Sequence, residues 1–227
     1  MITDKCLLIV KPKEPFYEWV QALAREAKMG SSVTLELMQE DANCYVMPTL
    51  PPKETASYIE SHTPEMFEHE LNLWCKVKQV WPSVNFPTFA SFCQFNFFYD
   101  WLDFRDLSAP KSEEDMKNII LLVKPKEKIK EYLREVLLNK FKVPPQEVDA
   151  KLDMNLILNG STVVITDIEA LDDIEYFMEH HYEEIFVHQL MLWGGEGSEA
   201  YWPSSNDIRE FREYFSIEIH PHTYLLH

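Results

Sequence analysis

Hydrophobic and polar positions run in the same order in the two halves of the chain. Apolar runs at residues 6–10 and 119–123 are each followed by Lys-Pro-Lys-Glu and then by apolar positions at helical spacing. A short continuous apolar run is typical of a buried strand, and a 3.6-residue period is typical of an amphipathic helix. Each half is therefore predicted to begin with a strand that leads into a helix.

A β-hairpin is predicted next, and its pattern is clearest in the second half of the chain. Apolar residues stand at every second position before an Asn-Gly pair at 159–160: Leu152, Met154, Leu156 and Leu158. Alternation at period two indicates a strand, and Asn-Gly favours a two-residue turn with positive backbone angles. The segment TVVITDI at 162–168 is the predicted returning strand, and in the first half EDAN at 40–43 takes the place of the turn.

The long helix predicted to follow contains a ten-residue phrase that occurs twice. EMFEHELNLW at residues 65–74 and EIFVHQLMLW at residues 184–193 share Glu, Phe, His, Leu, Leu and Trp at the same spacing. Four further blocks match in the same order: 8–14 with 121–127, 44–50 with 162–168, 81–85 with 202–206, and 89–97 with 211–219. Matched blocks in one order along the whole chain indicate an internal duplication.

The repeated order of elements predicts the fold class. Each copy gives β-α-β-β-α-β, which is the split βαβ or ferredoxin-like order. We therefore predict an α+β protein made of two tandem ferredoxin-like repeats related by pseudo-twofold symmetry. The first repeat is predicted over residues 1–103, a polar linker over 104–117 and the second repeat over 118–227.

Composition limits the function classes. The chain has 227 residues, of which 46% are hydrophobic, and only 5 Gly, which is an ordinary globular profile. No apolar run approaches the length of a membrane span, and the first residues resemble a strand more than a signal peptide. The four cysteines show no CxxC pair and no metal spacing, so buried free thiols are expected. We predict a cytoplasmic protein that does not bind membranes.

The charge is uneven. The net charge is -17, and residues 152–227 contain fifteen acidic residues but only two basic ones, Arg209 and Arg212. Such a surface would repel phosphates, so nucleic acid is not an expected partner, and a basic protein surface or a cation is favoured instead. The simpler alternative is that the acidic residues only keep the protein soluble.

The repeated decamer supplies two Glu–His pairs at helical i, i+4 spacing, Glu65 with His69 and Glu184 with His188. Such a pair can hold a metal or perform acid–base chemistry, or it can be a local contact that holds a partly buried imidazole. Glu70 falls in the middle of the apolar arc of the same helix. Because a buried acid needs a polar partner, we expect Glu70 to bond to the sheet or to the neighbouring Trp-Pro-Ser loop.

The second Trp-Pro-Ser loop is the candidate partner-binding element. It expands to GGEGSEAYWPSSND at residues 194–207 and lacks the strand-to-helix context of a phosphate loop. An acidic loop with exposed aromatic residues can bind a protein partner through Glu196, Glu199, Tyr201 and Trp202. Alternatively, the tryptophan closes the core at the end of the long helix.

The last strand offers a candidate metal site. Glu218, His220 and His222 alternate with apolar residues, which places the three on one face of a strand. The matching positions in the first copy are Asn96, Phe98 and Asp100, so the triad is not common to both repeats. An exposed edge with titratable side chains is the alternative interpretation.

These observations predict a non-enzymatic interaction or regulatory protein, similar in action to an immunity protein, an inhibitor or a mimic. It would bind a basic protein surface, mainly through the second repeat, and no cofactor is predicted. Motifs for nucleophilic catalysis or nucleotide binding are absent from the sequence. A small-ligand-binding or sensor protein with a cleft between the repeats is the alternative, and a metal or haem enzyme that uses the His and Glu sets is a third hypothesis.

Overall fold

The structure is a computed structural model that describes residues 5–28, 32–104, 119–166, 168, 170–204, 207–221 and 223–226. Within these ranges it contains two four-stranded sheets and nine α-helices, which confirms the predicted α+β class. Among the described residues, none of the helices combines the length and the apolar character needed to cross a membrane.

The first half of the chain builds three strands and four helices. A strand leads into a helix as the sequence predicts, because Pro15 starts that helix in its first turn and Phe16 and Val20 bury its apolar face. The elements, with a 3₁₀ turn at Lys78–Val80, are β1 Lys5–Pro12, α1 Glu14–Glu26, α2 Leu35–Glu40, β2 Asn43–Pro48, α3 Pro52–Trp74, α4 Phe86–Phe92 and β3 Cys93–Phe98.

The second half repeats this order with one additional helix, α6, and adds a short strand before it and another after it. The helix after β5 continues into a π-helical turn at Val136–Lys140, and 3₁₀ turns lie at Leu171–Asp173 and Glu199–Tyr201. The elements are β4 Trp101–Asp103, β5 Ile120–Pro125, α5 Ile129–Glu135, α6 Pro145–Lys151, α7 Met154–Leu158, β6 Thr162–Ile165, α8 Ile174–Gly194, α9 Ile208–Tyr214, β7 Phe215–His220 and β8 Thr223–Leu225.

Each sheet takes its fourth strand from the chain that follows the other repeat. The strand orders are β3-β1-β2-β8 and β4-β6-β5-β7. Strand β8 pairs in parallel with β2, and β4 pairs in parallel with β6. The chain accordingly divides into a first unit, Met1–Tyr99 with His220–His227, and a second unit, Asp100–Ile219. The predicted boundary at residue 103 follows the sequence repeat, whereas these units exchange the short strands; residues 105–117 of the predicted linker lie outside the described ranges.

The predicted hairpin strand over residues 152–158 is wrong, because this segment forms the helix α7. The Asp153 side chain accepts a hydrogen bond from the Asn155 backbone N–H and starts the helix. The alternating residues do not share a face, since Leu152 is buried while Leu156 is 61% exposed. The first half has the same feature: Thr34 caps α2, which occupies the corresponding place before β2.

The strand pairing also corrects the alignment of the two copies by one residue. Val10 pairs with Asn43, and its counterpart Val123 pairs with Thr162. Asn43 therefore corresponds to Thr162, whereas the sequence alignment of 44–50 with 162–168 matched it to Ser161. A one-residue shift reverses which side chains face the core, and the corrected alignment matches the buried Tyr45 to the buried Val164.

Each unit has its own hydrophobic core, and the repeated decamer supplies its central helix face. Phe67 and Leu71 are buried on α3, and their counterparts Phe186 and Leu190 are buried on α8. The decamer is therefore chiefly a core-packing sequence. The cysteines are free, as predicted: Cys6, Cys44 and Cys93 are buried and Cys75 is half-buried.

Candidate functional site

A buried carboxyl group lies at the centre of the first unit. Glu70 is 1% exposed and accepts a hydrogen bond of 2.9 Å from the Tyr45 hydroxyl on β2, which confirms that it bonds to the sheet. Burial raises the pKa of Glu70 to about 7, although the hydrogen bond from Tyr45 lowers it. The carboxyl group therefore changes its charge near neutral pH inside a hydrophobic core.

The histidine of the first decamer lies between aromatic rings. The His69 ring stacks on Tyr224 of β8 with the ring centroids 4.0 Å apart, and the Tyr45 and Tyr224 rings stack with their centroids 5.4 Å apart. Burial lowers the pKa of His69, while the nearby Glu65 and Glu68 act in the opposite direction. The exchanged strand β8 thus covers a histidine whose neutral form is favoured.

The corresponding place in the second unit holds a chain of hydrogen bonds. His188 Nε2 lies 2.7 Å from Asp100 Oδ2, just before β4. The Thr162 hydroxyl donates to the same Asp100 oxygen at 3.1 Å, and the Gln189 side-chain amide donates to the Thr162 hydroxyl oxygen. These hydrogen bonds therefore join four polar side chains that come from β6, from α8 and from the residue before β4.

The carboxylate of this second cluster belongs to Asp100, which is partly exposed. The hydrogen bond with His188 lowers the pKa of Asp100, and burial opposes this effect. An Asp–His pair can orient an imidazole for proton transfer. However, Thr162 is fully buried and its hydroxyl donates to Asp100, so it is not placed as a nucleophile for His188. The arrangement is best described as a hydrogen-bonded Asp–His pair that fastens β4 to α8.

The two predicted Glu–His pairs have the same outcome in both units. Glu65 and Glu184 are exposed on their helices, whereas His69 and His188 are half-buried. Each histidine makes its closest described contact with a residue of the exchanged strand or its start, Tyr224 or Asp100. In both pairs an exposed glutamate therefore stands four residues before a half-buried histidine.

The loop after α8 is held by hydrogen bonds. Gly195 adopts a φ of 67° at the end of the helix, where a side chain would be strained. The Lys140 ammonium donates to the backbone carbonyl of Gly194 and, at 2.6 Å, to that of Glu196. Trp202 Nε1 donates to Ser198 Oγ at 3.0 Å, and its ring packs against the second core. Trp202 therefore anchors the loop.

The other predicted partner-binding residues remain accessible. The side chains of Glu196 and Glu199 are exposed, and Tyr201 is half-buried. Tyr201 lines an open groove of about 430 Å³ in the second unit, whose other lining residues include Tyr132, Tyr214, Glu131, Glu135, Lys130 and Arg134. The groove is thus walled by aromatic and charged side chains. Its ability to bind a partner stays a prediction.

The predicted metal triad is only partly within the described residues. Glu218 forms an ion pair with Lys124, with 2.7 Å between carboxylate and ammonium. His220 is fully buried, and its Nδ1 lies 3.0 Å from the Ala42 carbonyl oxygen. His222 lies outside the described residues. In the ranges that the structure does describe, no three His, Cys, Asp or Glu side chains form a group that could hold a metal ion.

Sequence reasoning missed the partners of both decamer histidines. Asp100 and Tyr224 come from the exchanged segments, which are distant in sequence from α8 and α3. No local spacing relates them to the histidines, so only the strand pairing reveals them. An alignment of the two repeats shifted by one residue would have matched Thr162 to Asn43. That match would have indicated a polar position on the strand next to the long helix.

Comparison with protein-family models, with curated proteins and with solved structures finds no match to this chain.

Proposed function

We propose that the protein is a non-enzymatic interaction protein whose second unit binds a basic surface of another protein. The supporting observation is the exposed side of α8 and its flanking turns. Eight acidic side chains between residues 172 and 199 are exposed there: Asp172, Asp173, Glu175, Glu179, Glu183, Glu184, Glu196 and Glu199. Residues 152–208 contain no Lys or Arg. Such a field of one sign attracts a basic partner and increases the association rate.

Apolar side chains stand among these carboxylates and favour binding over mere solubility. Tyr176 is 67% exposed and Val187 is 41% exposed on the same helix, and Leu171 is 57% exposed just before it. Protein interfaces combine apolar anchors with a polar surround, and these residues supply both.

The groove beside Tyr201 offers a place for a cationic side chain of the partner. Within the second unit, the Lys128 ammonium lies 4.8 Å from the centroid of the Tyr214 ring, another wall of this groove. An aromatic ring next to carboxylates attracts ammonium and guanidinium groups. Lys130 and Arg134 also line the groove, but they pair with Glu127 and Asp149. We therefore propose that Tyr201 and Glu135, which line the same groove, recognise a partner Lys or Arg.

The experiment compares neutralisation of equivalent helices. One variant carries Glu179→Gln, Glu183→Gln and Glu184→Gln on α8, and the control carries Glu54→Gln, Glu60→Gln and Glu65→Gln on α3. Both change the net charge equally at exposed positions. Wild-type protein and both variants serve as baits in native lysate at low salt, and any basic protein retained is purified and titrated.

The expected result is a basic partner that wild type and the α3 variant retain and the α8 variant loses. In titration its affinity should fall about tenfold or more with the α8 variant and should weaken as salt increases. If no basic protein is retained, or if the α3 variant weakens binding to the same extent, the acidic residues serve solubility and the proposal is wrong.

We also propose that the two units descend from one duplicated ferredoxin-like unit. Support comes from the shared order β1, α1, β2, α3, β3 and β5, α5, β6, α8, β7. In both copies the second strand of the ferredoxin-like order is replaced by a capped short helix, α2 or α7, and an exchanged strand fills the fourth place in the sheet.

A further inference from the structure

An apolar cavity of about 220 Å³ lies within the second unit. Its walls come from the π-helical turn, from α6 and α7, and from the repeated tryptophan Trp193. The π turn is defined by a hydrogen bond of 3.0 Å from the Phe141 N–H to the Val136 carbonyl oxygen. Such turns widen a helix locally and occur often at functional sites. In the first unit, α1 ends at Glu26 as a regular α-helix.

Two large apolar side chains at the cavity are exposed to solvent. Phe141 is 51% exposed and Leu156 is 61% exposed, and both line the cavity. An apolar molecule that enters this open cavity would remove the aromatic and aliphatic walls from water, which is energetically favourable. The walls therefore indicate a ligand with an apolar body.

The charges around the cavity indicate that this ligand is an anion. Lys151 lines the cavity and is exposed, so its stem forms part of the wall while its ammonium reaches water. Among the described residues, Lys151 has no ion-pair partner. The other residues that line the cavity are uncharged.

The volume limits the size of the ligand. A dry apolar cavity of about 150 Å³ holds one benzene molecule, with six carbon atoms. In proportion, about 220 Å³ holds an apolar body of roughly nine heavy atoms. We propose that this cavity binds a small amphipathic carboxylate, with its acyl or aryl body against Phe141, Leu156 and Trp193 and its carboxylate at Lys151.

Octanoate is the probe, and calorimetric titration of the full chain is the measurement. Octylammonium and octanol serve as the positive and neutral probes of the same length. We expect octanoate to bind with a sub-millimolar Kd and both other probes to bind at least about fivefold more weakly. Leu156→Glu should weaken octanoate at least about tenfold, because it places a carboxylate at the wall. Lys151→Glu should weaken octanoate and strengthen octylammonium.

Leu37→Glu is the matched control, because Leu37 is the exposed counterpart of Leu156 on the capped helix α2. It should leave octanoate binding unchanged, and circular dichroism should show that all variants remain folded. Three results would each overturn the proposal: no heat with octanoate at millimolar concentration, equal affinity for octylammonium, or equal weakening by Leu37→Glu and Leu156→Glu. None of these results depends on whether α8 binds a basic protein.

Discussion

The two units place different polar groups at equivalent positions of the same framework. In the first unit the long helix buries Glu70, and Tyr45 donates to it from β2. In the second unit the long helix buries Gln189, which donates to Thr162 on β6, and a valine replaces the tyrosine. One core therefore contains a carboxyl group that ionises near neutral pH, and the other contains an amide that never does.

The two units also differ in where they place an ionisable carboxyl group. In the second unit the carboxylate is Asp100, at the partly exposed start of β4, where it is hydrogen-bonded to His188. In the first unit the carboxyl group is fully buried, and the neighbouring histidine stacks on Tyr224. A buried carboxylate without a cation is costly, whereas a partly exposed carboxylate that accepts hydrogen bonds costs little. The first unit should thus be the more sensitive to pH.

The largest effect is expected when the second unit receives the carboxyl group of the first. Gln189→Glu would bury an acid near Asp100 without a tyrosine donor. Its pKa would be raised by burial, so stability is lost as the pH rises above the unfolded value of about 4.3. We expect a loss of more than about 3 kcal/mol at pH 8 and a smaller loss at pH 5. Urea unfolding at the two pH values measures it.

Val187→Glu is the control for this exchange, because it adds the same charge to the exposed side of the same helix. It should change the free energy of unfolding by less than about 0.5 kcal/mol. Equal losses for Gln189→Glu at both pH values would show that volume or geometry, not ionisation, separates the two cores.

The reverse exchange should stabilise the protein. Glu70→Gln removes a group whose pKa rises from 4.5 to about 7 on folding. Because the raised pKa favours the protonated folded state, Glu70 weakens folding progressively between these values and fully above pH 7. A shift of this size corresponds to about 3 kcal/mol, so the variant should gain about that much at pH 8 and almost nothing at pH 4.

The amide that Glu70→Gln introduces can still accept the hydrogen bond from Tyr45 through its carbonyl oxygen. Glu65→Gln, just over one turn earlier and exposed, is the matched control and should be nearly neutral. A gain for Glu70→Gln that stays the same from pH 4 to pH 8 would contradict the assignment of a buried, titrating carboxyl group.

The hydrogen bond between Asp100 and His188 in the second unit should have the opposite pH dependence. The pKa of Asp100 is lowered, chiefly by its hydrogen bond with His188, so its stabilising effect is present above its unfolded pKa. That effect is lost as the pH falls through the lowered pKa. Asp100→Asn should cost about 1 kcal/mol at pH 6, since the pair is partly exposed, and less at pH 3.

Thermal unfolding of Asp100→Asn and of Asp172→Asn at the two pH values measures this effect. Asp172 is exposed and carries the same charge, so its variant should be neutral at both. If Asp100→Asn lowers stability as much at pH 3 as at pH 6, Asp100 stabilises β4 through its packing and geometry. Its negative charge would then not be what fastens β4.

Local features of both units could be predicted from the sequence, because they depend on neighbours along one helix. Helical spacing places Phe67 and Leu71 in the core and Glu70 among them, which the structure confirms. The helix α7 was missed because a Leu-rich alternating sequence is compatible with both a strand and a short helix. The side-chain cap at Asp153 favours the helix.

The exchange of β4 and β8 could not be predicted, because it depends on pairing between distant segments. A three-residue strand has no local pattern that states which sheet edge it joins. The contacts of His69 and His188 depend on this pairing, so the sequence indicated the histidines but not Tyr224 or Asp100. Sites that include residues of the exchanged segments therefore cannot be predicted from sequence periodicity.

The smallest effect concerns a backbone feature that the two units share. Lys28 follows α1 and Lys142 follows the π turn, and both adopt a φ of 54°. This left-handed conformation costs a non-glycine residue about 1 kcal/mol, and glycine relieves it but gains freedom in the unfolded chain. Lys28→Gly and Lys142→Gly should each raise the free energy of unfolding by about 0.5 kcal/mol.

Lys76→Gly is the control, because Lys76 is exposed and is not among the described residues with positive φ. It should lower stability slightly, since glycine there only adds freedom to the unfolded chain. Urea unfolding of the three variants measures the comparison. Gains at Lys28 and Lys142 would show that both units end this helix in the same way, although one ends it through a π turn; a loss at Lys142 alone would mean that the π turn needs a side chain there.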